Sequence, residues 1–305
     1  MPQESFNKKP TSIADQTSLL QSRGLEITDL AAAEHYLLHI GYYRLAGYWQ
    51  ILQSDIRNHI FRKGSTFEEV VCLYKFDREL RLLVYDAIER IEISLRSVII
   101  CEISMACGRY WFNDEQCTND YKLFEENIKS IDDELGRSKE EFVKHHDRKY
   151  GTDDYPPAWK TLQILSFGTL SKLYKNIKAT LPQKNLIARI YGLPNYVYLE
   201  SWMLSLSVLR NFCAHHSRIL NRKFDFIPKK MISSSRLWIR VLPAVHQDSL
   251  LLYNQLCSVK FLLNSCSPGN HFSNDLLTLI AKYPTANISG CGFPENWENE
   301  DLWMS

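Results

Sequence analysis

The sequence predicts an all-α protein with a bundle-like helical core between about residues 66 and 265. Three observations indicate this class. Apolar residues recur every three or four positions over several long segments, which is the period of a helix that buries one face. No segment of comparable length alternates with period two, and no Asn-Gly or Asp-Gly pair marks a tight hairpin. A chain of 305 residues, 45% of them hydrophobic, is also long enough to bury a core of its own.

The N-terminal segment is predicted to contain two helices. The first lies in TSIADQTSLLQSRG and stops at Gly24. The second begins near Thr28 or Asp29, either of which can cap it. It continues through LAAAEHYLLHIGYYRLAGYWQILQ, although Gly41 and Gly47 lie inside it and are unfavourable there. The stretch SDIRNHIFRKGS that follows is predicted to be a turn-rich connection.

The longest predicted helix begins at Thr66, which forms a capping-box pattern with Glu69. No Gly or Pro follows until Gly108, and apolar residues advance by three or four positions throughout. We therefore expect a helix of at most about 40 residues here, with no more than one break.

Residues 112–150 are polar and acidic and are predicted to form an exposed helical insertion. Further helices are expected in four segments, 155–178, 181–194, 195–216 and 247–265. The predicted organisation is an N-terminal helical segment (1–60), a helical bundle that carries the insertion (61–265), and a C-terminal helix with an acidic tail (266–305).

Composition limits the class of protein. The formal net charge is only +1, so attraction to nucleic acid or to a membrane surface must come from a local patch. The eight cysteines are scattered without a C-x-x-C pair, which favours reduced thiols over a disulfide framework or a zinc knuckle. The N-terminus has no apolar signal region, and no stretch approaches the roughly 18 apolar residues of a membrane span. We therefore expect a soluble cytoplasmic protein.

A local basic patch is present between residues 200 and 242, where eight basic residues against two acidic ones leave a net charge of +6. A patch of this kind can bind the phosphates of a polyanion. The tail from 283 to 305 has the opposite character, with four carboxylates and no Lys or Arg. The eight basic residues are Arg210, Arg218, Arg222, Lys223, Lys229, Lys230, Arg236 and Arg240.

The stretch LRNFCAHHSRILNR contains the candidate site. Arg210 and His215 stand in an R-x4-H arrangement, and Asn211 directly follows the arginine. A histidine can accept a proton near neutral pH, and an arginine presents a permanently charged, planar fork to phosphate oxygens. Together they suit cleavage of an RNA phosphodiester by its own 2′-hydroxyl without a metal ion, with Asn211 orienting the ring or the phosphate. From these residues alone, a polar network that stabilises the bundle explains the pattern at least as well.

The spacing limits how the two side chains can meet. Five residues along an ideal helix rotate a side chain by about 140°, so Arg210 and His215 do not share a face. Either the helix distorts between them, or a second copy of the chain completes the site, which predicts a symmetric homodimer. The residues expected to contact RNA are His216, Arg218, Arg222, Lys223, Lys229 and Lys230.

RNFCAHHSRILNR resembles the R-N-x-x-x-H signature of the HEPN superfamily of ribonucleases, and more narrowly that of the Abi-like family of abortive-infection proteins, AbiD and AbiF. Further stretches similar to this family are GYYRLAGYW, LYKFDRELRLLVYDAIERIEISLRS and LQILSFGTLSKLYKNI. Together these stretches span most of residues 10–225, in the order of the family.

The resemblance implies a HEPN-like helical bundle, a dimer that brings two motifs together, and metal-independent RNA cleavage that leaves a 2′,3′-cyclic phosphate. It also implies defence of bacteria against phage, relatedness to the HEPN domains of RNA-guided CRISPR ribonucleases, and association with a small structured RNA. By position, Arg210 stabilises the phosphate, His215 is the general acid or base, and Asn211 is the polar partner. The neighbouring His216 leaves the choice of ring open, and the spacing favours His215. No cofactor is implied, and a non-catalytic RNA-binding protein is the competing class.

Other histidines have both a structural and a functional interpretation. His35 and His39 have the spacing of zinc ligands but lack the glutamate of H-E-x-x-H. Cys213 lies beside the two histidines of the motif, but no second cluster completes a tetrahedral set. His145 and His146 are predicted to be a solvated helix end, with an RNA contact as the alternative.

Two patterns on the predicted helices are also ambiguous. Glu89 and Glu92 could act as a carboxylate pair, but Glu92 with Arg96 has the spacing of an ordinary surface ion pair. Alternatively, one member of this group reaches Arg210 and orients it. The aromatic run GYYRLAGYW could stack nucleobases, although aromatics at helical spacing more often form core.

Overall fold

The computed structural model describes residues 9–151, 154–232, 234–241 and 250–304. In this part of the chain the regular elements are helices and one short two-stranded hairpin, which confirms the all-α class. The hairpin is formed by β1 (Gln53–Asp55) and β2 (Ile60–Phe61). The helices are α1 (Ile13–Ser22), α2 (Leu30–Ile40), α3 (Tyr42–Trp49), α4 (Phe67–Cys107), α5 (Tyr121–Arg137), α6 (Glu141–Tyr150), α7 (Ala158–Thr161), α8 (Phe167–Asn176), α9 (Pro182–Ile190), α10 (Tyr196–Ala214), α11 (Leu252–Cys266) and α12 (Phe272–Lys282).

The chain folds into two compact units. The first contains the described residues up to Leu80 together with Thr278–Asn287. The second contains Arg81–Leu277 and the described residues from Ile288 onward. The division falls within α4, whereas the sequence places its first boundary near residue 60. The first turns of α4 contact the N-terminal helices, as in the hydrogen bond from the Tyr48 hydroxyl to Asp77.

The first unit contains both N-terminal helices, one of which is divided. Ser12 caps α1 by accepting a hydrogen bond from the backbone N–H of Asp15 at 3.1 Å, and α1 ends before Gly24 as predicted. Asp29 caps α2. The prediction of one continuous helix beyond it is wrong, because Gly41 adopts φ 95° and ψ 143° and separates α2 from α3. A backbone with this positive φ is accessible to glycine and disfavoured for other residues.

The predicted connection after α3 contains the hairpin, which the sequence pattern does not indicate. Its strands have only three and two residues, too few to show alternation. The turn is held by Asp55, whose carboxylate accepts the backbone N–H groups of Arg57 at 2.9 Å and of Asn58 at 3.1 Å. His59, with φ 58°, completes the turn.

α4 is the long helix that the sequence predicts. Both bonds of the capping box form: Glu69 N–H donates to Thr66 Oγ1 at 3.2 Å, and Thr66 N–H donates to the Glu69 carboxylate at 3.0 Å. The helix then runs for 41 residues without a break. It therefore begins in the first unit and continues in the second.

The polar insertion is less exposed than predicted. It forms α5 and α6, and α5 packs against α8 in the second unit. Phe124, Asn127 and Ile131 on α5 are buried. Their spacing of three and four residues forms a narrow stripe that the many surrounding charges conceal in the composition.

Two later predictions need correction or lie partly outside the described residues. The segment 155–178 forms two helices, because Ser166 caps α8 and its Oγ accepts the Thr169 N–H at 3.2 Å. The final bundle helix is present as α11, and the first three residues predicted for it, 247–249, lie outside the described residues. A C-terminal helix, α12, follows.

α10 lies at the centre of the second unit and packs against α8, α9 and α11. Trp202, Leu206 and Leu209 on α10 are at most 1% exposed. The C-terminal tail belongs to the same unit, where the indole of Trp303 stacks on Tyr253 with ring centroids 6.0 Å apart. The core therefore fixes α10 along most of its length.

A buried lysine adds a polar anchor to the second unit. Lys184 Nζ lies 2.6 Å from the Glu200 carboxylate and donates to the carbonyls of Lys175 at 2.9 Å and Ile177 at 2.6 Å. Its side chain has no exposed surface. Burial lowers its pKa, and the Glu200 carboxylate opposes this effect. No helix among the described residues combines the length and apolar character needed to cross a bilayer.

Candidate functional site

The R-N-x-x-x-H motif lies across the C-terminal end of α10. Arg210 and Asn211 belong to the last turn, and His215 is the capping residue, with its N–H donating to the Asn211 carbonyl at 2.9 Å. The N–H groups of the next two residues fold back onto Cys213 at 3.1 Å and Phe212 at 2.9 Å. This pair of bonds is the Schellman arrangement that satisfies the last carbonyls of a helix.

The helix end imposes a special backbone conformation on the second histidine. His216 has φ 57°, in the left-handed region, and occupies the position that glycine most often takes in this motif. Asn211, His215 and His216 are all exposed, whereas Cys213 between them is buried. The polar side chains of the motif are thus presented on the surface of a helix end that the core holds in place.

Arg210 is held by a carboxylate from α4. Its Nε lies 3.6 Å from Glu92 Oε2, and its guanidinium lies 5.6 Å from the ring centre of Tyr85. The Arg210 side chain is 31% exposed and that of Glu92 is 14% exposed. The expectation that a residue of the Glu89, Glu92 and Arg96 group reaches Arg210 is confirmed for Glu92. Tyr85 was not anticipated, because no sequence signal links two residues so far apart.

Glu92 is itself fixed by a second arginine. Arg96 Nη2 lies 2.7 Å from Glu92 Oε1, and its Nη1 donates to the carbonyls of Leu165, at 2.7 Å, and of Leu162. The prediction of an ordinary surface pair is wrong, since the Arg96 side chain is only 8% exposed. Burial lowers the pKa of Arg96, the nearby Glu92 carboxylate opposes this, and the positive charge of Arg210 contributes to the lowering.

Within one chain, the α-helical hydrogen-bond pattern continues from Arg210 to the backbone N–H of His215. The regular α-helical hydrogen bond from His215 to Asn211 shows that no distortion intervenes. The angle between the two side chains therefore stays near the roughly 140° of an ideal helix. Of the two alternatives that the spacing allows, this hydrogen bond gives no support to a distorted helix.

Some of the predicted RNA-contacting residues lie at the same helix end. Arg222 stacks on Phe212, with its guanidinium 3.8 Å from the ring centre. Burial and the neighbouring Arg218 charge lower the pKa of Arg222, in that order of size. Arg218 is half-buried and Lys223 is exposed. The segment is tied down at Asn221, whose N–H donates to Cys291 Sγ at 3.3 Å.

Lys229 and Lys230 are also exposed, but they do not lie at the C-terminal end of α10. Lys229 N–H donates to Ser201 Oγ at 2.8 Å, and its carbonyl accepts from the Trp202 indole at 2.9 Å. The segment that carries these lysines has therefore returned toward the start of α10. Ser201 precedes His215 by 14 residues, which corresponds to about 20 Å along a helix. The predicted RNA-contacting residues thus form two groups, not one.

The acidic tail neutralises part of the predicted basic patch. Asp301 forms an ion pair with Arg240, whose Nε lies 3.0 Å from Oδ2, and the guanidinium lowers the pKa of Asp301. Glu300 accepts the backbone N–H of Val241 at 3.1 Å. Arg236 is also engaged, because it donates to the Ile190 carbonyl at 3.0 Å. The net charge of +6 counted along the sequence therefore overstates the charge of the folded surface.

The other histidine pairs have different environments in the structure. The rings of His35 and His39 pack against each other, with centroids 4.4 Å apart. Among the described residues, no group of three or more His, Cys, Asp or Glu side chains is arranged to hold a metal ion. His145 is exposed as predicted, but His146 is only 7% exposed, so the prediction of a solvated end is wrong for that ring.

The fold and the site define an all-helical protein that presents an arginine, asparagine and histidine motif at an exposed helix end. Residues 35–221, more than half of the 305-residue chain, match the family described as Abi-like protein. The chain belongs to this family, and membership implies a role in abortive-infection defence against phage. No curated protein and no solved structure matches the chain.

Proposed function

We propose that this Abi-like protein is a HEPN-type, metal-independent endoribonuclease that acts in the cytoplasm during abortive infection. The observation that carries the proposal is the placement of Arg210. Its guanidinium is partly exposed, is fixed by Glu92, and lies on the last turn of the helix that His215 caps. A purely structural arginine has no need of two exposed polar neighbours, Asn211 and His215, at a solvent-facing helix end.

The proposed reaction needs only groups that this chain supplies. A histidine accepts the proton of the ribose 2′-hydroxyl, and the oxygen attacks the adjacent phosphorus. The Arg210 guanidinium stabilises the charge that develops on the phosphate oxygens. The bond from phosphorus to the 5′-oxygen breaks, this oxygen takes a proton from a protonated histidine, and a 2′,3′-cyclic phosphate remains on the upstream product.

A homodimer forms part of the proposal. Because Arg210 and His215 diverge within one chain, we propose that the arginine of one copy and the histidine of the other face the same phosphate. A two-fold axis near the end of α10 creates two such composite sites at once. The exposed Asn211 is positioned to contact the partner or the phosphate.

The test compares the purified wild-type protein with Arg210→Ala and His215→Ala on labelled RNA, with His145→Ala as the matched control because it removes another exposed histidine. Loss of cleavage in both site variants, with RNA binding retained and the control active, is the expected result. Product ends should carry a 2′,3′-cyclic phosphate, and a 2′-deoxy residue at the cleavage position should block the reaction. Activity that disappears in EDTA would contradict the metal-independent mechanism.

The competing function is a non-catalytic module that holds a small structured RNA. The cluster of Arg218, Arg222 and Lys223 beside the motif favours it, because cations at one helix end can bind a phosphate backbone without any chemistry. Loss of RNA binding in Arg210→Ala, with no cleavage by the wild-type protein, would identify the module. A mixed dimer of Arg210→Ala and His215→Ala chains separates the classes further, since it restores one intact composite site only in the enzyme.

A further inference from the structure

The first unit contains a groove that the proposed ribonuclease site does not use. Helices α1 and α3 and the turn of the hairpin contribute to it, and its volume is about 550 Å³. Ligand pockets of roughly 300 to 1,000 Å³ accept small organic molecules. The groove lies in the GYYRLAGYW segment, for which the sequence left core packing and base stacking as alternatives.

The aromatic residues of this segment divide between core and groove. Tyr48 is buried, and its hydroxyl donates to Asp77 at 2.7 Å. Trp49 is 3% exposed and forms the floor, where Tyr42 meets it edge to face at 4.8 Å. Tyr43 is 85% exposed at the edge of the groove, so the ring has a face open to solvent. Packing thus explains Tyr48 and Trp49 but leaves Tyr43 unexplained.

The lining of the groove contains basic side chains. Lys9, Arg23 and His59 line it, and no Asp or Glu is found among its lining residues in the described part of the chain. Arg23 is held on the wall by a hydrogen bond to the Tyr42 hydroxyl at 3.0 Å. The carboxylate of Asp55 lies close to His59 but is occupied by the N–H groups of the hairpin turn.

We propose that this groove binds an unpaired nucleotide of single-stranded RNA. An exposed tyrosine ring stacks on the flat face of any base, and cations beside it hold the backbone phosphate. A fixed arginine, an open aromatic face and a described lining without carboxylates together match an anion attached to a planar ring.

Binding is tested on the full chain with fluorescent 2′-O-methyl oligonucleotides of six residues, because these cannot be cleaved and so separate this proposal from the proposed ribonuclease activity. Tyr43→Ala should weaken binding by about 10-fold or more, the loss expected for one stacked base. The matched control is Tyr121→Ala, which removes a 57% exposed tyrosine from the second unit and should leave the affinity unchanged. Equal affinity of Tyr43→Ala and Tyr121→Ala overturns the proposal.

The salt dependence tests the phosphate contact separately. Arg23→Gln should lower the slope of log Kd against log salt by about 0.7, the value for one phosphate contact with a single strand. An unchanged slope contradicts a phosphate at Arg23. Adenosine monophosphate distinguishes a free nucleotide from an RNA strand as the ligand. If adenosine monophosphate displaces the hexamer when the two are present at equal concentrations, the groove binds a free nucleotide and the RNA proposal is overturned.

Photo-crosslinking locates the strand without relying on a variant that must fold. A hexamer carrying 5-iodouridine should crosslink to the peptide that contains Tyr42 and Tyr43, as identified by mass spectrometry. Crosslinks confined to residues 210–223 would place the bound RNA only at the second unit and refute a site in the groove.

Discussion

Replacing Glu92 with glutamine removes one charge from between two arginines and leaves the size of the side chain almost unchanged. Glu92 lies 2.7 Å from Arg96 and 3.6 Å from Arg210. At an effective dielectric constant of about 20, the attraction at the longer distance is about 4.6 kcal/mol before solvent screening. Because Arg210 is 31% exposed, we expect about 1 kcal/mol of this to remain.

The Arg96 side of the network carries the larger cost to stability. Removing one partner of a buried ion pair costs roughly 3 to 5 kcal/mol, since a charge remains buried without compensation. The amide of Glu92→Gln can still accept a hydrogen bond, and Arg96 keeps its carbonyl partners at Leu162 and Leu165. We therefore expect Glu92→Gln to lose about 3 kcal/mol of unfolding free energy, the low end of that range.

The effect on activity is expected to appear in kcat more than in KM. A guanidinium misplaced by about 1 Å can cost about 100-fold in rate, so a 10- to 100-fold fall in kcat is expected for Glu92→Gln. Urea unfolding and initial rates of RNA cleavage are measured on the same preparations. Glu89→Gln is the matched control, because Glu89 lies one turn earlier on α4 and is exposed. Wild-type kcat in Glu92→Gln, or an equal loss in Glu89→Gln, would refute the idea that Glu92 positions Arg210.

Three further predictions concern buried titratable groups, each checked by urea unfolding. Lys184→Met leaves Glu200 unpaired and should lower the unfolding free energy by about 3 to 5 kcal/mol. The double variant Lys184→Met, Glu200→Gln removes both charges and should recover much of this loss. Burial lowers the pKa of His146 below 6.5, and the positive charge of Lys160 lowers it further. The unfolded chain therefore binds the proton more tightly than the folded chain. The unfolding free energy should then fall as the pH drops below about 6.5, and His146→Phe should flatten this dependence. Burial lowers the pKa of Lys260 from 10.5 to about 8, so stability should rise by about 2 kcal/mol between pH 7 and 9.5, and Lys260→Met should lose this rise.

Local patterns in the sequence predicted most of the helices correctly. The capping box at Thr66 and the absence of Gly or Pro before Gly108 identify α4, because both act within a few residues of the chain. Gly41 shows where such reasoning fails, since a glycine inside a helical pattern is compatible with either a weak helix or a break. The hairpin was missed because a side chain, Asp55, holds its turn and its strands are too short for alternation.

The residues of the candidate site could be predicted from the sequence, but the contacts that hold them in place could not. Arg210, Asn211 and His215 follow from the motif, and the structure places them at one helix end. The carbonyls that hold Arg96 belong to residues 162 and 165, more than 60 positions away, and no local pattern announces such a contact. The separation of Lys229 from the motif has the same origin, because the direction of the returning segment depends on long-range bonds to α10.

The left-handed backbone at His216 allows the two adjacent imidazoles to be separated by mutation. Asparagine tolerates the same conformation, so an exchange at 216 can delete one ring while the chain still leaves α10 in the same direction. His215, at the preceding capping position, keeps its hydrogen bond to the Asn211 carbonyl through such an exchange. A helix terminus built in this manner lets one ring of the doublet vary while the other stays fixed.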